Sequence, residues 1–200
     1  MDSLVNTIPN VQVPEGTFGL WRVERFEVTE DSAALHNMRE AMHGSRRVIQ
    51  AGTYTKLCHN DDIVMSDTPS EKIDHLEFID RAEGNVLIHG LGLGMVLSAV
   101  LRKPSVTDVT VVEVSWDVIN LVWPTYSANV KAHLVHGDAF TWPLGKGVKW
   151  AAIWHDIWTD LCVDNLVGMT KLKRRFCRRC KWQGCWGEDE LRYRQKRYGW

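Results

Sequence analysis

Two regimes of hydrophobic patterning divide the chain. Up to about residue 82 the apolar positions are scattered in short, mixed-period stretches. Residues 1–17, with Pro9, Pro14 and Gly16, show little periodicity and predict an arm. Leu20 to Val28 reads as a strand. Thr29 is placed to cap a helix from Glu30 to about His43, which Gly44 would end. Arg47 to Leu57, with Gly52 between β-rich runs, predicts a hairpin, and Ile63 to Met65 a further short strand. Thr68-Pro69-Ser70-Glu71 carries a capping residue, Pro at the first helical position and Glu at the third. The apolar face Ile73, Leu76, Phe78 and Ile79 then extends that helix to about Arg81.

From Asn85 the pattern becomes an alternation of buried strand and helix. Val86–Ile88, Val109–Val112, Leu134–Val135 and Ala151–Trp154 are strand-like apolar runs. Met95–Leu101 and Trp116–Val122 are helical, stopped by Pro104 and Pro124. The βαβαβ order predicts an α/β fold, a Rossmann-like doubly wound sheet with a small α+β N-terminal extension. The boundary falls near residue 82, giving an extension over 1–82 and a Rossmann-like unit over 83–200. The segment from Lys181 to Trp186 is expected to be the last strand. With 44 residues after Asp156, the C-terminal edge of the sheet is expected to be truncated, and a homodimer is one way to cover it.

Composition narrows the class. The content is 44% hydrophobic and 24% charged, as in a globular protein, and no apolar run reaches membrane-spanning length. The start, MDSLVNTIPNVQVPEG, lacks the basic and apolar regions of a secretion signal. Five cysteines, an odd number, predict reduced thiols and a cytoplasmic protein. Cys177, Cys180 and Cys185 offer three thiols with no His after His155, so they are read as buried strand thiols rather than a zinc site. The charge is uneven. Residues 171–200 hold eleven bases and three acids, leaving thirteen bases and twenty-two acids in residues 1–170. A basic segment on an acidic body either binds a polyanion such as nucleic acid or docks on that body. The string Lys181-Trp182-Gln183-Gly184-Cys185-Trp186 interleaves a base with aromatics, as single-strand binders do, although a sheet strand with two core tryptophans accounts for it as well.

The candidate chemistry sits in the alternating region. Val86-Leu87-Ile88-His89 delivers the chain into Gly90-x-Gly92-x-Gly94, and a helix follows at once. Glycines there permit a tight turn and close approach of a ligand, and the helix start offers free N–H groups to an anion. Glu113 ends the second strand, where an acid binds two ribose hydroxyls. Asp138, in Val135-His136-Gly137-Asp138-Ala139, is placed to accept from an adenine amino group. Asp156 ends the strand Ile153-Trp154-His155-Asp156. All four elements converge on the carboxyl ends of the strands.

These residues resemble the class I S-adenosylmethionine-dependent methyltransferase superfamily, over about Gly84 to Asp156. Within it, Lys103-Pro104-Ser105-Val106 through Glu113, followed by Asp117-Val118-Ile119, resembles the spermidine synthase-like branch. The resemblance implies S-adenosylmethionine held by Gly90, Gly92, Gly94, Glu113 and Asp138, with chemistry at Asp156 on a small-molecule substrate. Asp156 would orient or deprotonate an amine; its alternative role is to cap a helix. Asp67, Glu71, His75 and Trp158 are placed as lid or substrate contacts. Spermidine synthases carry Asp at the position of Leu93, which directs the expectation to methyl rather than aminopropyl transfer. Two alternatives remain open: an aminopropyltransferase, and a non-catalytic module that binds cofactor or nucleic acid.

Overall fold

A computed structural model describes residues 8–42, 44 and 47–199. The expected arm over residues 1–7, and His43 as the last residue of the first helix, lie outside the described residues.

The first part of the chain builds a four-stranded antiparallel sheet. Its strands are β1 (Gly16–Phe18), β2 (Trp21–Val28), β3 (Gly52–His59) and β4 (Asp62–Ser66), in sequence order. Helix α1 (Glu30–Met42) follows β2, and Thr29 Oγ1 accepts from the Ser32 amide at 3.3 Å to cap it. The hairpin expected around Gly52 is displaced. Gly52 starts β3, and the turn lies at Asn60-Asp61, where Asn60 adopts φ 54°. Asn tolerates that left-handed conformation better than most residues, and this was the turn signal in the sequence.

Next come α2 (Pro69–Asp74) and α3 (Leu76–Arg81) in place of one continuous helix. The break is at His75, whose amide bonds back three residues to the Lys72 carbonyl. The capping box does not form. Thr68 makes no side-chain cap, and the Glu71 carboxylate instead takes the amide and hydroxyl of Ser66 at 2.8 and 2.7 Å.

The remaining strands are β5 (Gly84–His89), β6 (Val106–Glu113), β7 (Ala132–His136), β8 (Trp150–His155) and β9 (Cys180–Cys185). They form a parallel sheet in the order β7-β6-β5-β8-β9. The helices between and after them are α4 (Met95–Leu101), α5 (Trp116–Val122), α6 (Asn165–Phe176) and α7 (Glu188–Tyr198). Alternate residues of β5 face opposite layers, as the pleat requires. Val86 and Ile88 join the core formed with Phe78, Leu97 and Val118, while Leu87 joins Leu172 and Phe176 of α6. The sheet is therefore covered on both faces, a Rossmann-like doubly wound arrangement. The first core also takes in Val23 and Leu57 of the antiparallel sheet and Ile8, Val11 and Val13 of the preceding segment. Among the described residues no helix is long and apolar enough to cross a membrane.

One polar network is buried between β5 and β8. His89 Nδ1 and His155 Nδ1 lie 2.7 Å apart. The Gln183 amide nitrogen donates to the Lys173 carbonyl, so its oxygen faces His155 Nε2 at 3.1 Å and must accept. His155 is then the Nε2–H tautomer, its Nδ1 accepts, and His89 carries the proton on Nδ1. His89 Nε2 is left without a partner. Burial holds both rings neutral, with His155 pushed down to about 4 and His89 well below its ordinary value.

The basic C-terminal segment is not a loose tail; it supplies part of α6, all of β9 and α7. All five cysteines are free. Cys180 and Cys185 stand at opposite ends of β9, half-buried and buried, while Cys177 is exposed after α6, so of the three thiols expected to be buried only Cys185 is fully so.

Candidate functional site

The chain goes to one side of β5 for β6 and β7 and returns to the other for β8 and β9. The strand order thus reverses between β5 and β8, and a cavity of about 280 Å³ opens beside that point, at the carboxyl ends of the strands. Gly90, Gly92, Glu113, Asp138, Asp156, Glu71, His75 and Trp158 all line it. The sequence marks each of these residues as a site candidate, and the fold brings them together around one cavity.

The glycine turn is shaped by the protein's own close contacts. Gly90 has φ 92°, and a Cβ there would fall 1.9 Å from the Asp156 carbonyl oxygen. The need for glycine at this position comes from the close approach of the chain just after β8 to the end of the adjacent parallel strand β5, where the Asp156 amide also donates to the His89 carbonyl at 2.9 Å. Gly92 has φ 50°, and its missing side chain makes room for the Met65 thioether, 2.3 Å from an ideal Cβ. The Leu93 amide points at that sulfur, 3.1 Å away. Gly94 does not line the cavity; the Tyr126 ring fills the space beside it, and the Tyr126 hydroxyl donates to the Leu93 carbonyl at 3.0 Å. The missing side chain at Gly94 leaves room for the Tyr126 ring. Leu93 is fully buried in the core and presents no side chain to the cavity.

Two carboxylates end β6 and follow β7. Glu113 is 8% exposed and accepts from the amides of Leu91 and Ser115, each at 2.7 Å. Each oxygen keeps a second lone pair for a ligand hydroxyl. Asp138 accepts from the Phe140 amide at 2.8 Å and the Thr141 hydroxyl at 3.2 Å, which fixes the carboxylate at the cavity wall. Val112, Val114, Ala139 and Ile157 supply apolar wall.

The far side of the cavity is acidic and aromatic. Burial pushes the Asp156 carboxyl up to about 7, and the nearby charges of Glu71, Asp74 and Glu113 add to the rise. The Trp154 indole N–H opposes the rise, but it makes no hydrogen bond. His75 is buried, edge-on to Trp154, with Nδ1 3.9 Å from Asp156 Oδ2 and unbonded. Burial, with a smaller contribution from the Arg47 charge, holds its pKa down at about 4. The contact is therefore one between a neutral ring and a carboxyl at neutral pH. Burial likewise raises Glu71, against its bonds to Ser66. Among the described residues no Lys or Arg lines the cavity.

Asp67 does not line the cavity, which corrects its expected place in a lid. Its carboxylate is fully buried and accepts from the amides of Val11 and Thr55 at 2.9 and 2.7 Å, tying the N-terminal segment to β3. Sequence reasoning missed Met65, Trp21 and Trp186 as lining residues. Trp186 was the most legible of them, since it directly follows β9, at the same end of the sheet as Asp156. Its indole nitrogen donates to Asp74 at 3.3 Å.

No known family model matches the chain, and no curated protein does. Several solved structures are similar. An S-adenosylmethionine-dependent methyltransferase from Clostridium acetobutylicum shares 16% identity over 55% of this chain and 43% of its own, at a TM-score of 0.38. The CcbJ methyltransferase from Streptomyces caelestis shares 17% over 55% and 43%, at 0.41. The 23S rRNA methyltransferase ErmE shares 17% over 64% and 49%, at 0.44. The alignments thus span less than half of each of these proteins.

Proposed function

We propose that this chain is an S-adenosylmethionine-dependent methyltransferase-like enzyme acting on a small amine. The observation that carries the reading is the cavity at the point of strand reversal, with Glu113 and Asp138 on one side and Asp156 on the other. Its residues fit the cofactor. Glu113 has lone pairs to spare for ribose hydroxyls, Asp138 is an acceptor for the adenine amino group, and the apolar wall suits a flat ring. When bound, the cofactor supplies an electrophilic methyl group on a sulfonium. An amine attacks only when neutral, and a carboxyl whose pKa is about 7 can take its proton near neutral pH. Trp158 and Trp186, together with the acidic lining, favour a cationic group in the same space.

A second reading, aminopropyl transfer of the spermidine synthase kind, is favoured by one observation. Among the described residues no Lys or Arg lines the cavity to offer a side-chain cation to a methionine carboxylate, and decarboxylated cofactor has none to place. Calorimetry with intact and decarboxylated cofactor in one buffer separates the two. The methyltransferase reading expects tighter binding of the intact form, and loss of methyl transfer with retained binding in Asp156→Asn. Tighter binding of the decarboxylated form, or spermidine made from putrescine, overturns it.

A further inference from the structure

At the opposite end of the sheet lies a second concavity, of about 650 Å³, lined by Lys149, Arg174, Arg175, Arg178, Arg179 and Cys177. Lys149 immediately precedes β8 and Arg179 immediately precedes β9, so the cleft sits at the amino ends of these strands. A strand of this length separates it from the first cavity by about 20 Å, at roughly 3.3 Å per residue. A small molecule in the first cavity cannot reach it.

Its chemistry is one-sided. Among the described residues no carboxylate lines the cleft, and the chain from Asn165 to Gly187 contains neither Asp nor Glu. Lys149, Arg174 and Arg178 are exposed and have no ion-pair partner among the described residues. Two of the cations are held in place by backbone. Arg179 donates to the carbonyls of Gly145 and Val148 at 2.8 and 3.3 Å, and Arg175 donates to the Trp142 carbonyl. Arg175 Nε is buried and unbonded. Neutral carbonyls orient these guanidinium groups without cancelling their charge. Five like charges gathered in one concave site, with no compensating acid, repel one another, and an anion relieves that repulsion.

The distribution also selects the kind of anion. Lys171, Arg174 and Arg178 follow a helical spacing along and just beyond α6, and Lys171 lies over the Phe140 ring at 5.3 Å. Together with Lys149 and exposed Lys146 they extend the positive surface beyond the reach of one phosphate. Arginines present planar donor forks suited to phosphate oxygens. A flexible single strand can lower its backbone into a concave cleft, whereas the convex backbone of a duplex meets only the rim. We propose that this cleft binds the phosphodiester backbone of a single-stranded nucleic acid.

Fluorescence anisotropy with labelled twenty-nucleotide oligo-uridine and oligo-thymidine tests this on the full chain. The wild type is expected to bind both, with a logarithmic salt slope of at least about −2, from three phosphate contacts at roughly 0.7 each. The triple variant Lys149→Ala, Arg174→Ala, Arg178→Ala is expected to lose affinity at least about tenfold, with a shallower slope. Arg25→Ala, Arg39→Ala, Arg102→Ala removes the same charge from exposed positions outside the cleft and serves as the control. Equal losses in both triples, no salt dependence in the wild type, full displacement by millimolar inorganic phosphate, or preferential capture by anionic lipid vesicles overturns the proposal. The salt slope of the wild type needs no variant to fold.

Discussion

Replacing Glu113 by Gln separates the two jobs that the structure gives this carboxylate. Its oxygens accept from the Leu91 and Ser115 amides at 2.7 Å each. The side-chain amide introduced by Glu113→Gln would be uncharged and could accept only one of the two, turning its NH₂ toward the other donor. The orphaned backbone amide costs about 1–3 kcal/mol, and loss of charge assistance on the surviving bond about 1 more, so the sum is roughly 3 kcal/mol. For a chain of this size that corresponds to a fall in melting temperature of about 6–12 °C, at roughly 2–4 °C per kcal/mol. Urea unfolding followed by tryptophan fluorescence measures the loss, and calorimetry on the folded variant measures cofactor affinity. Both are expected to fall. Glu83→Gln, at an exposed pair with Lys181, is the control and should stay within about 0.5 kcal/mol of wild type. An unchanged urea midpoint for Glu113→Gln would refute the reasoning, because the backbone bonds would then carry no stability.

Two further outcomes follow from buried charge. Asp156 has a folded pKa of about 7 against an ordinary 3.8, so folding binds a proton in that window and stability falls as pH rises through it. Asp156→Asn is expected to be more stable than wild type at pH 8, by at most roughly 4 kcal/mol, and under the proposed function to lose methyl transfer; equal or lower stability at pH 8 refutes the burial argument. His75 and His155, both held at about 4, add stability above pH 6.5 that is lost as pH falls from that value toward 4. Imidazole nitrogen NMR at pH 5.5 should show both neutral, with His155 protonated on Nε2 and His89 on Nδ1; a proton on His155 Nδ1 contradicts the chain through Gln183.

The central strands β5 and β8 are legible because Val86–Ile88 and Trp150–Trp154 are apolar runs packed on both faces, whereas the edge strands β7 and β9 are partly exposed and carry polar residues. The break at His75 is not, since Ile73, Leu76 and Ile79 keep a helical period across it and only the buried ring on Trp154 marks the turn. Asp67 looked available because it lies in a polar, Pro-containing stretch. What buries it is pairing with Thr55 and Val11, partners twelve and fifty-six residues away. The glycine turn was visible, but its neighbours were not. Asp156, Met65 and Tyr126 approach the three glycines from three other elements or loops, and no local pattern encodes that. The basic character of residues 171–200 was plain from composition, yet the concavity needs Lys149 and the Gly145–Val148 loop, which arrive by topology.

Met65 and Trp21 belong to the antiparallel sheet, yet they wall a cavity whose floor is the parallel one. A molecule bound there touches both sheets at once and is a non-covalent cross-link between them. Its binding free energy is therefore shared: by mass action, whatever opens β4 away from Gly92 must also release the ligand. A ligand that fills the cavity would therefore stabilise the docking of the N-terminal sheet on the parallel one, by an amount that grows with its concentration relative to its dissociation constant.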